Sequence, residues 1–140
     1  MKKLKIFFDG SSHGNPGPSG IGIVVYDECG REVLEFSEYV GVKTNNEVEY
    51  LALIKALEIA LKLGASEIAL YSDSELIVKQ MKGEYAVRDV KLKELYEKAV
   101  KLMEKIKINI IHISREENIL ADKLADKAAS NNSPPVYNIM

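Results

Sequence analysis

The sequence has one cysteine, Cys29, and no tryptophan. A single thiol excludes an intrachain disulfide and a zinc site built from cysteines. No apolar run approaches the roughly 20 residues that span a bilayer. The lysines near the N-terminus lead into an alternating pattern, not a signal-peptide core. These absences predict a cytoplasmic protein with no membrane partner. Positive charge is not in excess either: the formal net charge is −2. That argues against gripping a polyanion by bulk charge alone. It leaves room for acids gathered around divalent ions, which would reverse the local sign. Repeats, low-complexity tracts and linkers are missing, so the 140 residues suit one domain with one core. Hydrophobic content of 46% and charged content of 29% are those of a globular chain.

What is present is organised around residues 4–18. Leu4, Ile6 and Phe8 alternate with Lys3, Lys5 and Phe7, a strand period. Asp9 stands where that pattern stops. A carboxylate buried there without a partner is costly, so it should face an edge, a metal or a ligand. Gly10, Gly14, Pro16, Gly17 and Pro18 then set a turn whose backbone can approach another group closely.

Residues 20–27 and 32–40 read as two further strands joined by a short link, hence a hairpin. Thr44, Asn45 and Asn46 open a helix with Glu47 and Glu49 near its positive end. Its apolar stripe runs from Val48 to Leu63, and Gly64 ends it. Residues 67–72 form a strand in a crossover position, with Asp73 at its C-terminal end. A short helix over 74–81, a loop over 82–88, a longer helix capped by Asp89 and a strand over 108–113 follow. The last helix contains Ala121, Asp122, Leu124, Ala125 and Ala128. Residues 131–140 read as a loose polar tail. The order βββαβααβα predicts an α/β domain with a mixed sheet and helices packed on it.

Asp9, Glu49, Asp73 and Asp122 each sit at or near an element end. With the fourth strand parallel to the first, Asp9 and Asp73 emerge at one sheet edge, where open α/β sheets bind ligands. Glu49 and Asp122 join them if their helices begin over that edge. Four close carboxylates cannot all stay ionised without cations. Hard oxygen donors select magnesium or manganese. Two such ions can activate a water and stabilise a leaving oxygen in phosphodiester cleavage.

Five pieces, Asp9-Gly10-Ser11, Asn15-Pro16-Gly17, Thr44-Asn45-Asn46-x-x-Glu49, Ser72-Asp73-Ser74 and Asn118-x-x-x-Asp122, occur in order between matching elements. Together they make the chain resemble ribonuclease H of type one over roughly residues 3 to 130. The resemblance implies a ribonuclease H-like α/β fold with a five-stranded mixed sheet of order 3-2-1-4-5 and helices on both faces. It places a catalytic domain over residues 1–130 and a tail over 131–140. It implies a monomeric endoribonuclease acting on the RNA strand of an RNA–DNA hybrid. Two Mg2+ ions per site, replaceable by Mn2+, would leave 5′-phosphate and 3′-hydroxyl ends. By matching position, Asp9, Glu49, Asp73 and Asp122 would be the metal-binding catalytic acids. Ser12, Asn15, Asn45, Asn46 and Glu75 would face the substrate, with Thr44 near a DNA phosphate. Glu75 stands where relatives commonly carry a neutral amide.

Two departures shape the expectations. Many bacterial relatives have a histidine on a loop before the last helix. Here the link is Ser114-Arg115-Glu116-Glu117-Asn118, and His112 falls within a strand. Arg115 is assigned that role, positioning phosphate, since arginine stays charged. Some relatives also insert a basic, tryptophan-containing helix that grips DNA. Residues 82–88 are short and offer Tyr85 for stacking, with Lys79, Lys82 and Arg88 near phosphates. His13 reads as substrate-facing or exposed, not as a ligand. Two other readings compete. A 3′–5′ exonuclease of the same fold would open with Asp-x-Glu where this chain has Asp9-Gly10-Ser11. A non-catalytic nucleic-acid-binding module would have no need of all four acids.

Overall fold

Strands β1 (Lys3–Ser12), β2 (Gly17–Asp27) and β3 (Glu32–Lys43) precede helix α1 (Asn45–Lys62) in the computed structural model, which describes residues 2–140. Strand β4 (Glu67–Ser72), helices α2 (Glu75–Met81) and α3 (Val90–Met103), and strand β5 (Lys107–His112) follow. A single 3-10 turn over Arg115–Glu117 leads into α4 (Ile119–Asn131), and β6 (Val136–Ile139) closes the described chain.

The strands form one mixed sheet of order β5-β4-β1-β2-β3-β6. The first three are antiparallel neighbours, whereas β4 lies parallel to β1 and β5 parallel to β4. The expected five-strand order is therefore present, but the sheet has six strands. The added one corrects the loose tail. Val136 to Ile139 pair antiparallel with Leu34 to Ser37, and the Tyr137 ring lies 4.6 Å from that of Phe36. Two prolines hid the strand in the sequence, although Val136, Tyr137 and Ile139 have the β-branched and aromatic character of an edge strand.

Leu4, Ile6 and Phe8 of β1 are buried with Ile21, Ile23 and Val25 of β2 and with Leu53 and Leu57 of α1 in the main core. Helix α1 starts where it does because Thr44 closes a capping box. Its hydroxyl accepts from Glu47 N at 3.2 Å, and Glu47 accepts from Thr44 N at 3.0 Å. The opposite face of the sheet is covered by α4. Its alanines 121, 125 and 128 lie at helical spacing and are buried. They press on Gly20 and Gly22, where a side-chain carbon would collide with backbone atoms of Ala121, Ala125 and Ala129. Small residues on both sides let helix and strand backbones approach closely.

Strand β1 is longer than expected. Its pairing with β4 stops at Phe7–Tyr71, while its pairing with β2 continues to Ser12–Ser19. Asp9 lies in that interval, beyond the last parallel partner. The sheet opens there, and the carboxylate meets elements from both faces.

Candidate active site

Each of the four acids is delivered by a different element. Asp9 comes from the interval of β1 beyond its last β4 partner, and Asp73 from the residue after β4. Glu49 lies in the second turn of α1, and Asp122 in the first turn of α4. Carboxylate oxygens of Asp9, Glu49 and Asp73 lie within 4.8 Å of one another. Asp122 and Arg115 line the same cavity of about 300 Å³, together with Ser11, Ser12 and Asn45.

The close approach of α1 depends on Gly10. A side-chain carbon there would stand 2.7 Å from the Val48 carbonyl. In its absence Gly10 N donates to Glu49 Oε1 at 2.7 Å. Asp73 is fixed by Asn118, whose Nδ2 donates to Asp73 Oδ2 and to the Phe8 carbonyl, both at 3.0 Å. Asn118 is buried, and its own Oδ1 has no hydrogen-bond partner among the described residues. In the sequence Asn118 stands out only as the first residue of the Asn118-x-x-x-Asp122 motif. The available signal was a polar residue at a helix start, four positions before an acid. Four positions place the two residues on one helix face.

Electrostatics follow from this packing. Burial, then the negative charges of Glu49 and Asp73, push the Asp9 carboxyl up to about 10. Burial and then Asp73 push Glu49 up to about 8, against the lowering effect of the Gly10 hydrogen bond. The cluster resists full ionisation unless positive charge enters it. Its donors are all carboxylate oxygens, a set suited to a hard divalent cation.

The proposed substrate residues are distributed around this cavity. Asn15 Oδ1 accepts from Asn45 N at 3.0 Å, tying the β1–β2 turn to the start of α1. Asn15, Thr44, Asn45 and Asn46 line a second, larger cavity of about 650 Å³ that reaches Asp89 and Lys91. Ser12 donates to the Lys43 carbonyl at 2.9 Å. Glu75 is not among the residues lining either cavity; it stands exposed at the start of α2, paired with Lys79 at 2.9 Å. His13 bonds Asp126 of α4 through Nε2 at 2.6 Å, so it braces the turn. His112 ends β5 opposite Ser72.

A family model described as reverse transcriptase-like matches residues 7–128. Ribonuclease HI of Haemophilus ducreyi is 35% identical over 150 residues, covering 94% of this chain and 93% of that protein. The chain belongs to the type 1 ribonuclease H family. The bifunctional protein Rv2228c of Mycobacterium tuberculosis is 43% identical over 128 residues. That match covers 90% of this chain but 35% of the mycobacterial protein, so the chain spans about a third of that relative. Among solved structures, LC11-RNase H1 in complex with an RNA/DNA hybrid has a TM-score of 0.86 and 43% identity. The match covers 91% of this chain and 96% of that one. The family fold is thus the one described above, with β6 as an addition to the expected five strands.

Proposed function

We propose that this chain is a metal-dependent endonuclease that hydrolyses the RNA strand of RNA–DNA hybrids, leaving 5′-phosphate and 3′-hydroxyl ends. The observation that carries the reading is the convergence of Asp9, Glu49 and Asp73 within 4.8 Å, in a cavity that Asp122 shares. Those four residues would hold two Mg2+ ions, for which Mn2+ can substitute. Such ions, when bound, supply a water nucleophile at neutral pH and stabilise charge on the leaving oxygen.

The protein's own residues do the rest. Asn118 and the Gly10 amide hold two of the acids in fixed orientations, so that little rearrangement is needed on binding. Arg115, at the rim of the acidic cavity, would position the phosphate as a permanent cation. Ser12, Asn15, Asn45 and Asn46 would contact the RNA strand, where 2′-hydroxyls distinguish RNA from DNA. Thr44 would receive a phosphate of the DNA strand. We propose that it acts as a monomer. We assign the catalytic unit to residues 1–130, with residues 131–140 as a tail of which Val136–Ile139 extend the sheet.

The test is cleavage of end-labelled hybrid, duplex RNA, single-stranded RNA and duplex DNA, with Mg2+ and with chelator. The reading requires cutting of the RNA strand of the hybrid in Mg2+ and none in chelator. Equal cutting of duplex DNA, or activity that survives chelation, overturns it.

A further inference from the structure

Arg115 is the one cation among the described residues that line the acidic cavity. Its side chain has many rotamers, and holding it in one place costs entropy. A backbone free to move would add to that cost. The segment that carries it, residues 113–118, has little regular structure: a single 3-10 turn over Arg115–Glu117. Two backbone hydrogen bonds close that turn. Glu117 N donates to the Ser114 carbonyl at 3.1 Å, and Asn118 N donates to the Arg115 carbonyl at 3.0 Å. Turns of this kind have poor hydrogen-bond geometry and are short for that reason.

The segment is tied down at both ends. Ile113 N donates to the Ser72 carbonyl at 2.9 Å, one residue before Asp73. Asn118 is held by Phe8 and Asp73. Between these anchors Glu117 folds back over the turn. Its Oε1 accepts from Ser114 N at 3.1 Å and from the Ser114 hydroxyl at 3.0 Å. Those bonds, the backbone one first, hold the Glu117 carboxyl below the usual carboxylate range. At neutral pH it is therefore an ionised, acceptor-only group, and hydrogen bonds to a charged acceptor are the stronger kind. Arg115 lies between the two residues that they join.

We infer that Glu117 is a positioning residue for the cleavage reaction: by clamping Ser114 it fixes the backbone from which Arg115 reaches the phosphate being cut. The inference rests on the role given to Arg115 above. Glu117 is not among the residues lining the acidic cavity, so it acts through Arg115 and not on the substrate. What it supplies is orientation. A cation already aimed at the position where negative charge grows stabilises the transition state most. Loss of the clamp should therefore appear in kcat. KM for the hybrid, set by contacts spread along the duplex, should hold.

The experiment measures kcat and KM on a labelled hybrid at saturating Mg2+ for wild type, E117A, E117Q, R115A and R115A/E117A, with circular dichroism verifying each fold. E117A should lower kcat by about 3- to 10-fold, the scale of a lost hydrogen bond, with KM unchanged. E117Q, whose amide oxygen still accepts, should recover most of that loss. R115A should fall further, and adding E117A to it should change nothing more. If E117A does not fold, S114A removes one of the two bonds and should give a smaller kcat loss that vanishes in the R115A background; S114A at the wild-type kcat then overturns the inference. So does a folded E117A at the wild-type kcat, an E117Q as impaired as E117A, or an E117A loss of equal size with and without Arg115. Wild-type kcat in R115A overturns it differently, by removing the residue to be positioned. Failure of wild type to cut any hybrid removes the functional reading beneath both.

Discussion

Asn118 donates one amide hydrogen to Asp73 Oδ2 and the other to the Phe8 carbonyl, each at 3.0 Å. One buried side chain thereby ties the acid that follows β4 to the backbone of β1, one residue before Asp9. The separation of Asp9 and Asp73 is consequently held by two hydrogen bonds that share one donor nitrogen.

Asn118→Ala should lower hybrid cleavage about 10- to 100-fold, the usual cost of losing a partner that orients a metal ligand. The loss should appear as a higher Mg2+ requirement. Stability should fall by about 1–3 kcal/mol, since the Phe8 carbonyl is left without that donor. Metal titration of activity and urea unfolding check both. Asn118→Asp should be worse above neutral pH, because it adds a carboxylate to a cluster already resisting ionisation.

The folded protein without divalent cations should lose stability as pH rises. Below pH 3.8 Asp9 is protonated whether the chain is folded or not. Above that value the unfolded chain releases a proton that the folded chain retains up to about pH 10, and Glu49 behaves likewise between 4.5 and about 8. Protons bound in excess by the native state make stability fall with pH. Tm in chelator should therefore drop between pH 5 and pH 8, and Mg2+ should raise Tm more at pH 8 than at pH 5. The double variant Asp9→Asn with Glu49→Gln should flatten the slope. A cation effect that is equal at both pH values would refute the assignment.

Gly22→Ala should be destabilising by about 1–3 kcal/mol, as expected where a methyl group has no space. The new carbon would meet Ala121 and Ala125 backbone atoms and displace α4, which carries Asp122. Thermal unfolding should show the lower Tm, and cleavage should fall with it. A control at Gly30, where an added carbon meets nothing within 4 Å, should cost less. That position has φ of 81°, so its cost is conformational strain alone.

Deleting residues 136–140 should lower Tm by a few degrees, about the shift expected for 1–2 kcal/mol in a domain of this size. It strips the edge of β3 and exposes Phe36, which is packed against Tyr137. Cleavage at 25 °C should be unchanged, since β6 lies at the far edge of the sheet from β5 and is separated by three strands from β4, which leads to Asp73.

The elements that carry the acids were legible because each obeys a local rule. The period of two through Phe8, the Thr44–Glu47 capping box and the apolar stripe of α1 are short-range signals. The five motif pieces, through the resemblance they carry, nominated the four acids as candidates. What stayed hidden depends on contacts between distant parts of the chain. Gly20 and Gly22 look like loose strand residues until α4 is seen lying on them. Asn118 looks like a helix opener until its amide is found between β1 and Asp73. The β6 strand has little independent stability, and only pairing with β3 defines it. Glu75 and Lys79 stand four apart on the predicted helix, so their pairing was within reach of the sequence.

The most direct test of the central claim is the rate of RNA-strand cleavage in a labelled hybrid by Asp73→Asn, at saturating Mg2+ and with folding verified by circular dichroism. Loss of one cluster carboxylate should reduce the rate by at least about 1000-fold while leaving the fold intact, the scale set by removing a group on which charge stabilisation depends. Cleavage by the folded variant at the wild-type rate would contradict the account.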